Sequence, residues 1–334
     1  VMSVMLVSLL LISSIGLVSA GLKDWFGFGD ENVNLEGELA ESAIARLAIS
    51  DTSAPNVTYV SDVKSDSGLD PSVNVVKLKS KTGTGETLLS FWFVAQQGSG
   101  GSAGDLTLPG SSARAYLNRS LETTRASTSC TRVAEVSCGG GIYCPGTGTG
   151  MNYSCVVPAK YYDSNGTWSI NVSVKTATSN YGYNLTKTFN ITSTFAAYAH
   201  TKSLNWTNNP LNAGSTNVYS DENITIENNG NVPYSKVEVN ATILNGTGSN
   251  TGQKAQYIPS NRFNAYACIV NPGVALTTDD YVSVDKFVAP RATSDAGLNS
   301  SLGFCVTSLA NTPTALSSQL YNSSRAWELR LISS

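Results

Sequence analysis

The chain has 334 residues, 13% of them charged, with a net charge of −3 and one histidine, His200. It carries no basic field for nucleic acid and no acidic tail, and a single histidine leaves little for acid–base catalysis or metal ligation. Hydrophobic residues make up 41%, enough for packed cores rather than disorder, over a length that suits two medium domains.

Val1 to Ala20 is apolar or small, carries no charge and ends in the small-x-small pattern Val18-Ser19-Ala20. It reads as a signal peptide with Gly21 as the first mature residue. The same length suits an uncleaved membrane anchor, with Trp25, Phe26 and Phe28 at the interface. A third reading is the retained assembly helix of a pilin-like filament, although Met5 stands where a glutamate is usual. Residues 21–50 read as a stalk or linker; Glu36 to Ala48 fits helical spacing and strand alternation alike.

Period-2 alternation dominates from there on. Leu88 to Ala95 is a continuous apolar run and predicts a strand buried on both faces. Gln96 to Gly110 is rich in Gly and Ser and predicts a flexible loop. Thr167 to Val174 alternates Trp168, Ile170, Val172 and Val174 inward against polar neighbours. Thr188–Thr192, Asn223–Glu227, Lys236–Thr242 and Trp327–Leu331 follow the same rule. Between them lie Ser164-Asn165-Gly166, Asn228-Asn229-Gly230-Asn231 and Asn245-Gly246, which are turn signals. The predicted fold class is all-β, two Ig-like antiparallel β-sandwich domains in tandem behind one N-terminal hydrophobic helix, spanning 51–198 and 199–334.

Six cysteines in a chain with a secretory leader predict disulfides. The preferred pairing joins Cys138 to Cys144 across a Gly-rich tip, Cys130 to Cys155 at the base of that hairpin, and Cys268 to Cys305. No CxxC knuckle or flanking histidine supports zinc. Asn-X-Ser/Thr triplets begin at Asn56, Asn118, Asn152, Asn165, Asn171, Asn184, Asn190, Asn205, Asn223, Asn240, Asn245, Asn299 and Asn322. These predict N-glycans on exposed faces; Asn171, Asn190, Asn223 and Asn240 fall on outward strand positions, Asn165 and Asn245 at turns.

Tyr153-Ser154-Cys155, Tyr161-Tyr162-Asp163 and Gly166-Thr167-Trp168 through Val174 resemble the end of Ig-like or PKD-like domains in cell-surface glycoproteins of small-genome archaea. Ser111 to Asn118 resembles another strand of that type. Ile224 to Pro233 is similar to the N-x-G-N-x-P hairpin of secreted β-sandwich modules. The resemblance implies a surface-exposed, non-enzymatic module whose core tryptophan sits on the Gly-Thr-Trp strand, and it carries over no catalytic residue.

No GxSxG elbow accompanies His200, and Gly139-Gly140-Gly141 and Gly146 to Gly150 lack the Lys-Ser/Thr ending and helix of a phosphate loop. Asp62, Asp66 and Asp70, or Asp279, Asp280 and Asp285, offer oxygens for Ca²⁺ without matching a known loop; no other cofactor is expected. Tyr161 and Tyr162, with Tyr181 and Tyr183 nearby and Trp206 beside a sequon, are the candidate rings for stacking on sugars. The expected function is a non-enzymatic secreted or cell-surface glycoprotein with a structural or adhesive role, partnered by other surface proteins or by itself. A pilin-like filament subunit and a carbohydrate-binding module are the alternatives. The sequon-free stretches Glu36 to Ala48 and Thr251 to Leu298 are the expected contact surfaces.

Overall fold

The computed structural model describes residues 53–333 apart from 82–84, 98–102, 128, 140–142, 145–147, 209–210, 269–272, 311 and 313–314. The leader, the stalk and the Glu36–Ala48 stretch lie outside the described residues. Ala48–Ser334 forms one compact unit that holds two hydrophobic cores.

The first core lies between two sheets. Their strands are β1 (Pro55–Val60), β2 (Lys64–Ser65), β3 (Val75–Val76), β4 (Glu86–Gln97), β5 (Ser112–Asn118), β6 (Arg125–Ala126), β7 (Thr131–Ser137), β8 (Thr149–Lys160), β9 (Gly166–Lys175) and β10 (Tyr181–Ile191). One sheet runs β1-β4-β8-β7, with β2 also on β4; the other runs β3-β10-β9-β5-β6. Lettered in chain order, the principal strands follow the immunoglobulin arrangement, A-B-E-D facing C-F-G. Trp168 on β9 is 1% exposed, and its indole Nε1–H donates to the Ser164 carbonyl at 2.9 Å. Elsewhere in the same core Phe93 and Tyr153 stack with centroids 5.1 Å apart.

The apolar run in β4 is not buried on both faces throughout. Leu88 and Ser90 point to solvent while Leu89, Phe91 and Phe93 point inward; double burial holds only from Phe93 to Gln97. The reason is local cover, since the Cys138–Cys144 disulfide packs on Val94 with Tyr59 and Trp92. The described ends of the Gln96–Gly110 stretch also depart from a loose loop. Gln96 and Gln97 belong to β4, and a 3₁₀ turn at Gly104–Thr107 seats Leu106 fully in the core.

The second core is enclosed by shorter strands: β11 (Ala197–Ala199), β12 (Thr216–Tyr219), β13 (Ile224–Asn228), β14 (Tyr234–Asn240), β15 (Leu244–Gly246), β16 (Tyr257–Ile258), β17 (Phe263–Ala265), β18 (Val274–Ala275), β19 (Tyr281–Val284), β20 (Asn299–Leu302), β21 (Phe304–Ser308), β22 (Tyr321–Ser323) and β23 (Glu328–Ser333). They form sheets β11-β13-β20, β12-β21-β17-β18, β19-β14-β23 and β16-β15-β22. Phe263 packs against Trp206 and Trp327, each 5.3 Å away between centroids. β11, which straddles the expected boundary between residues 198 and 199, pairs with β13 of the second core.

Candidate functional site: the junction and the outer faces

The turn Asn228–Asn231 does more than reverse the chain. Fully buried Asn228 donates from Nδ2 to the Val232 carbonyl at 2.8 Å and accepts the Gly230 amide at 3.0 Å, locking the turn as Asn side chains can. Asn231 then grips the connecting segment: its Oδ1 accepts from the Thr194 amide at 2.6 Å and its Nδ2 donates to the Thr192 carbonyl at 2.9 Å. The Lys81 amide donates to the Asn229 carbonyl at 3.1 Å. The hairpin motif is thus a clasp between the two cores, a role that turn signals alone do not announce.

Charged pairs close the rest of the junction. Lys81 Nζ bonds Glu227 Oε1, and His200 Nε2 lies 3.0 Å from Glu227 Oε2. The Lys81 ammonium holds the Glu227 carboxyl below the ordinary glutamate value, with His200 assisting against the cost of burial. Glu227 in return raises Lys81. Lys160 reaches Glu86 at 2.8 Å and Asp295 at 3.1 Å. Arg291 donates to Glu122 at 2.9 Å and to the Tyr162 carbonyl.

Tyr161 and Tyr162 sit inside this junction, 1% and 6% exposed, in contact with Ala292. Their rings meet edge to face at 5.0 Å, and the Arg125 guanidinium covers Tyr162 at 5.4 Å. The sugar-stacking expectation for these two residues is therefore corrected: chain distant in sequence covers both rings. Neighbouring Asp163 is buried, which pushes its carboxyl up, while the Arg125 Nε, 3.1 Å from both oxygens, holds it in an ion pair.

Disulfides join Cys130 to Cys155, Cys138 to Cys144 and Cys268 to Cys305, with Cα–Cα separations of 4.4, 5.2 and 5.9 Å. Cys130–Cys155 ties the β6–β7 connection, where the Cys130 amide donates to the Ala113 carbonyl of β5 at 2.8 Å, to β8 of the facing sheet. Among the sequon asparagines, Asn56, Asn165, Asn190, Asn205, Asn223, Asn299 and Asn322 are exposed; Asn118, Asn152, Asn171, Asn184 and Asn245 are half-buried. Asn240 corrects the outward placement expected of it. It is 8% exposed on β14, flanked by β19 and β23, and its Oδ1 is enclosed without a partner. The Oδ1 of Asn152 is enclosed in the same way.

His200 is an exposed member of the Glu227 pair, with its ring 5.0 Å from Tyr198. Asp62 binds Lys187 and Asn74, Asp66 binds Lys79, and Asp279 binds Arg325. Asp280 Oδ1 accepts from the Tyr281 amide, and Asp285 lines a shallow cavity with Tyr266 and Lys286. Asp70 accepts from the Ser65 amide at 2.7 Å. Among the described residues no three His, Cys, Asp or Glu side chains gather as a metal site, and no helix is long and apolar enough to cross a membrane.

No protein-family model matches the chain, and no curated protein matches it. Among solved structures, one described under the promiscuous specificity of carbohydrate-binding modules of the β-sandwich superfamily aligns at TM-score 0.21 and 11% identity, over 85% of this chain and 99% of its own. Another, described as BspA_C_mut, aligns at TM-score 0.21 and 10% identity, over 84% of this chain and 98% of its own.

Proposed function

We propose that this protein is an extracellular, non-enzymatic structural or adhesive element, in which tandem sandwiches act as one stiff spacer. The observation that carries the reading is the junction. Asn231, Tyr161, Tyr162 and the Lys81–Glu227 and Arg291–Glu122 pairs join the two cores by packing, hydrogen bonds and charge together, where a flexible linker would leave domains free to move. Three disulfides suit an oxidising compartment. Glycans at the exposed sequons would hydrate the outer surface, whereas Asn240 and Asn152 would stay bare in the folded protein. The experiment is labelling of intact source cells with a membrane-impermeant amine reagent. Labelled chain with oxidised cysteines is expected; protected chain with reduced thiols would sink the surface assignment.

A further inference from the structure

The sheet β3-β10-β9-β5-β6 is chemically one-sided. Its strands contain Arg114, Arg125, Lys175 and Lys187 and no Asp or Glu, in a chain whose acids outnumber its bases. Arg125 and Lys187 are neutralised by Asp163 and Asp62 from outside the sheet. Arg114 and Lys175 have no ion pair among the described residues.

Those two unpaired cations share the outward face with two exposed rings. Tyr181 and Tyr183 are 50% and 61% exposed, nearly parallel at 11°, with centroids 6.3 Å apart. The strand register makes them neighbours: Tyr181 stands opposite Lys175 and Tyr183 opposite Ser173, while across β9 Arg114 stands opposite Ser173 and Ser112 opposite Lys175. Directly opposed residues on one face lie about 5 Å apart at Cβ. The small side chains of Ser173 and Ser112 therefore form a low floor bounded by the tyrosines, Lys175 and Arg114. The Lys175 ammonium lies 5.9 Å from the Tyr181 ring centre. Asp105 of the 3₁₀ turn, which accepts from Thr178 of the adjoining hairpin at 3.0 Å, is 1% exposed and does not open onto the face.

We propose that this face binds an acidic saccharide, a carboxylated glycan carried by another surface. Tyrosine rings offer an apolar plane for the C–H face of a sugar, serines and tyrosine hydroxyls match its hydroxyls, and two uncompensated cations select for carboxylate, a guanidinium being suited to two-point contact. Aromatic rings beside neutral polar groups alone would suit a neutral glycan equally; the absence of acids across five strands is what assigns the charge.

The assignment rests on the adhesive reading but fails separately from it, because surface labelling of the protein is indifferent to sugar binding. The test is calorimetric titration of the full chain with a tetragalacturonate, against a neutral tetrasaccharide of glucose. Uronate binding is expected to weaken as salt is raised. It should fall about fivefold or more in Arg114→Gln/Lys175→Gln and disappear in Tyr181→Ala/Tyr183→Ala. All four side chains are half-buried or exposed, so melting temperatures near wild type are expected and serve as the folding check. The proposal is overturned if the uronate does not bind, if the neutral sugar binds as tightly, or if the variants bind as wild type does. A glycan on Asn171, two residues from Ser173, found on the native protein by glycopeptide mass spectrometry would overturn it too, since it would cover the floor.

Discussion

Glu227 is the residue at which the two cores share charge. Its carboxyl is held below the ordinary value near 4.5, chiefly by Lys81. A group whose folded value is depressed contributes stability that is present above the unfolded value and is lost as pH falls through the folded one. Melting temperature recorded from pH 3 to pH 7 should therefore drop more steeply on the acid side for wild type than for Glu227→Gln, which should melt lower at neutral pH with Lys81 left unpaired. Equal acid limbs in the two proteins would remove Glu227 from the account. Gly85 is constrained for a different reason. Its φ is +62°, and a Cβ there would stand 2.7 Å from Tyr161 Cδ1. Gly85→Ala should cost about 1–2 kcal/mol in backbone conformation alone, plus whatever displaces Tyr161, measurable by denaturant titration.

Among the elements, the disulfides differ in the length of chain they close. Sequence separations of 25, 6 and 37 residues correspond, on the chain-entropy account, to about 3.5, 2.2 and 3.8 kcal/mol. Paired Cys→Ser variants at 268/305 and 130/155 should thus lose more stability than the pair at 138/144, read by urea unfolding. The opposite ranking would mean that the cover which the Cys138–Cys144 disulfide gives Val94 outweighs loop entropy. At this scale much of the molecule was legible beforehand. β9 alternates because Trp168, Ile170, Val172 and Val174 face a single core, and period 2 is a local property of the chain. β4 is less legible. Apolar residues on both faces announce cover on both faces, yet Leu88 remains 43% exposed and only the far half is covered.

Considered as a whole molecule, the two cores are joined by contacts between segments far apart in sequence. Tyr161→Ala with Asn231→Ala removes the buried ring and the side chain that grips Thr192 and Thr194. Wild type is expected to unfold in one calorimetric transition, and the double variant in two, with the loss of Tyr161 alone worth about 3 kcal/mol or more. A single transition in the variant would show that the cores are coupled by other contacts. Small-angle scattering should show a longer and broader distribution of dimensions for the variant.

By itself the sequence determined the all-β class, the inward sets of the principal strands, the turns and the cysteine content, because these follow from local periodicity, backbone chemistry and composition. Tertiary structure alone decided which outward faces meet water. Tyr161 and Tyr162 look like an exposed aromatic pair until Ala292 packs against them, and Asn240 looks outward until β19 and β23 flank it. Tyr181 and Tyr183, equivalent to them on paper, stay open. Strand period says which side a residue takes; whether that side is covered depends on chain a hundred residues away, which no local pattern records.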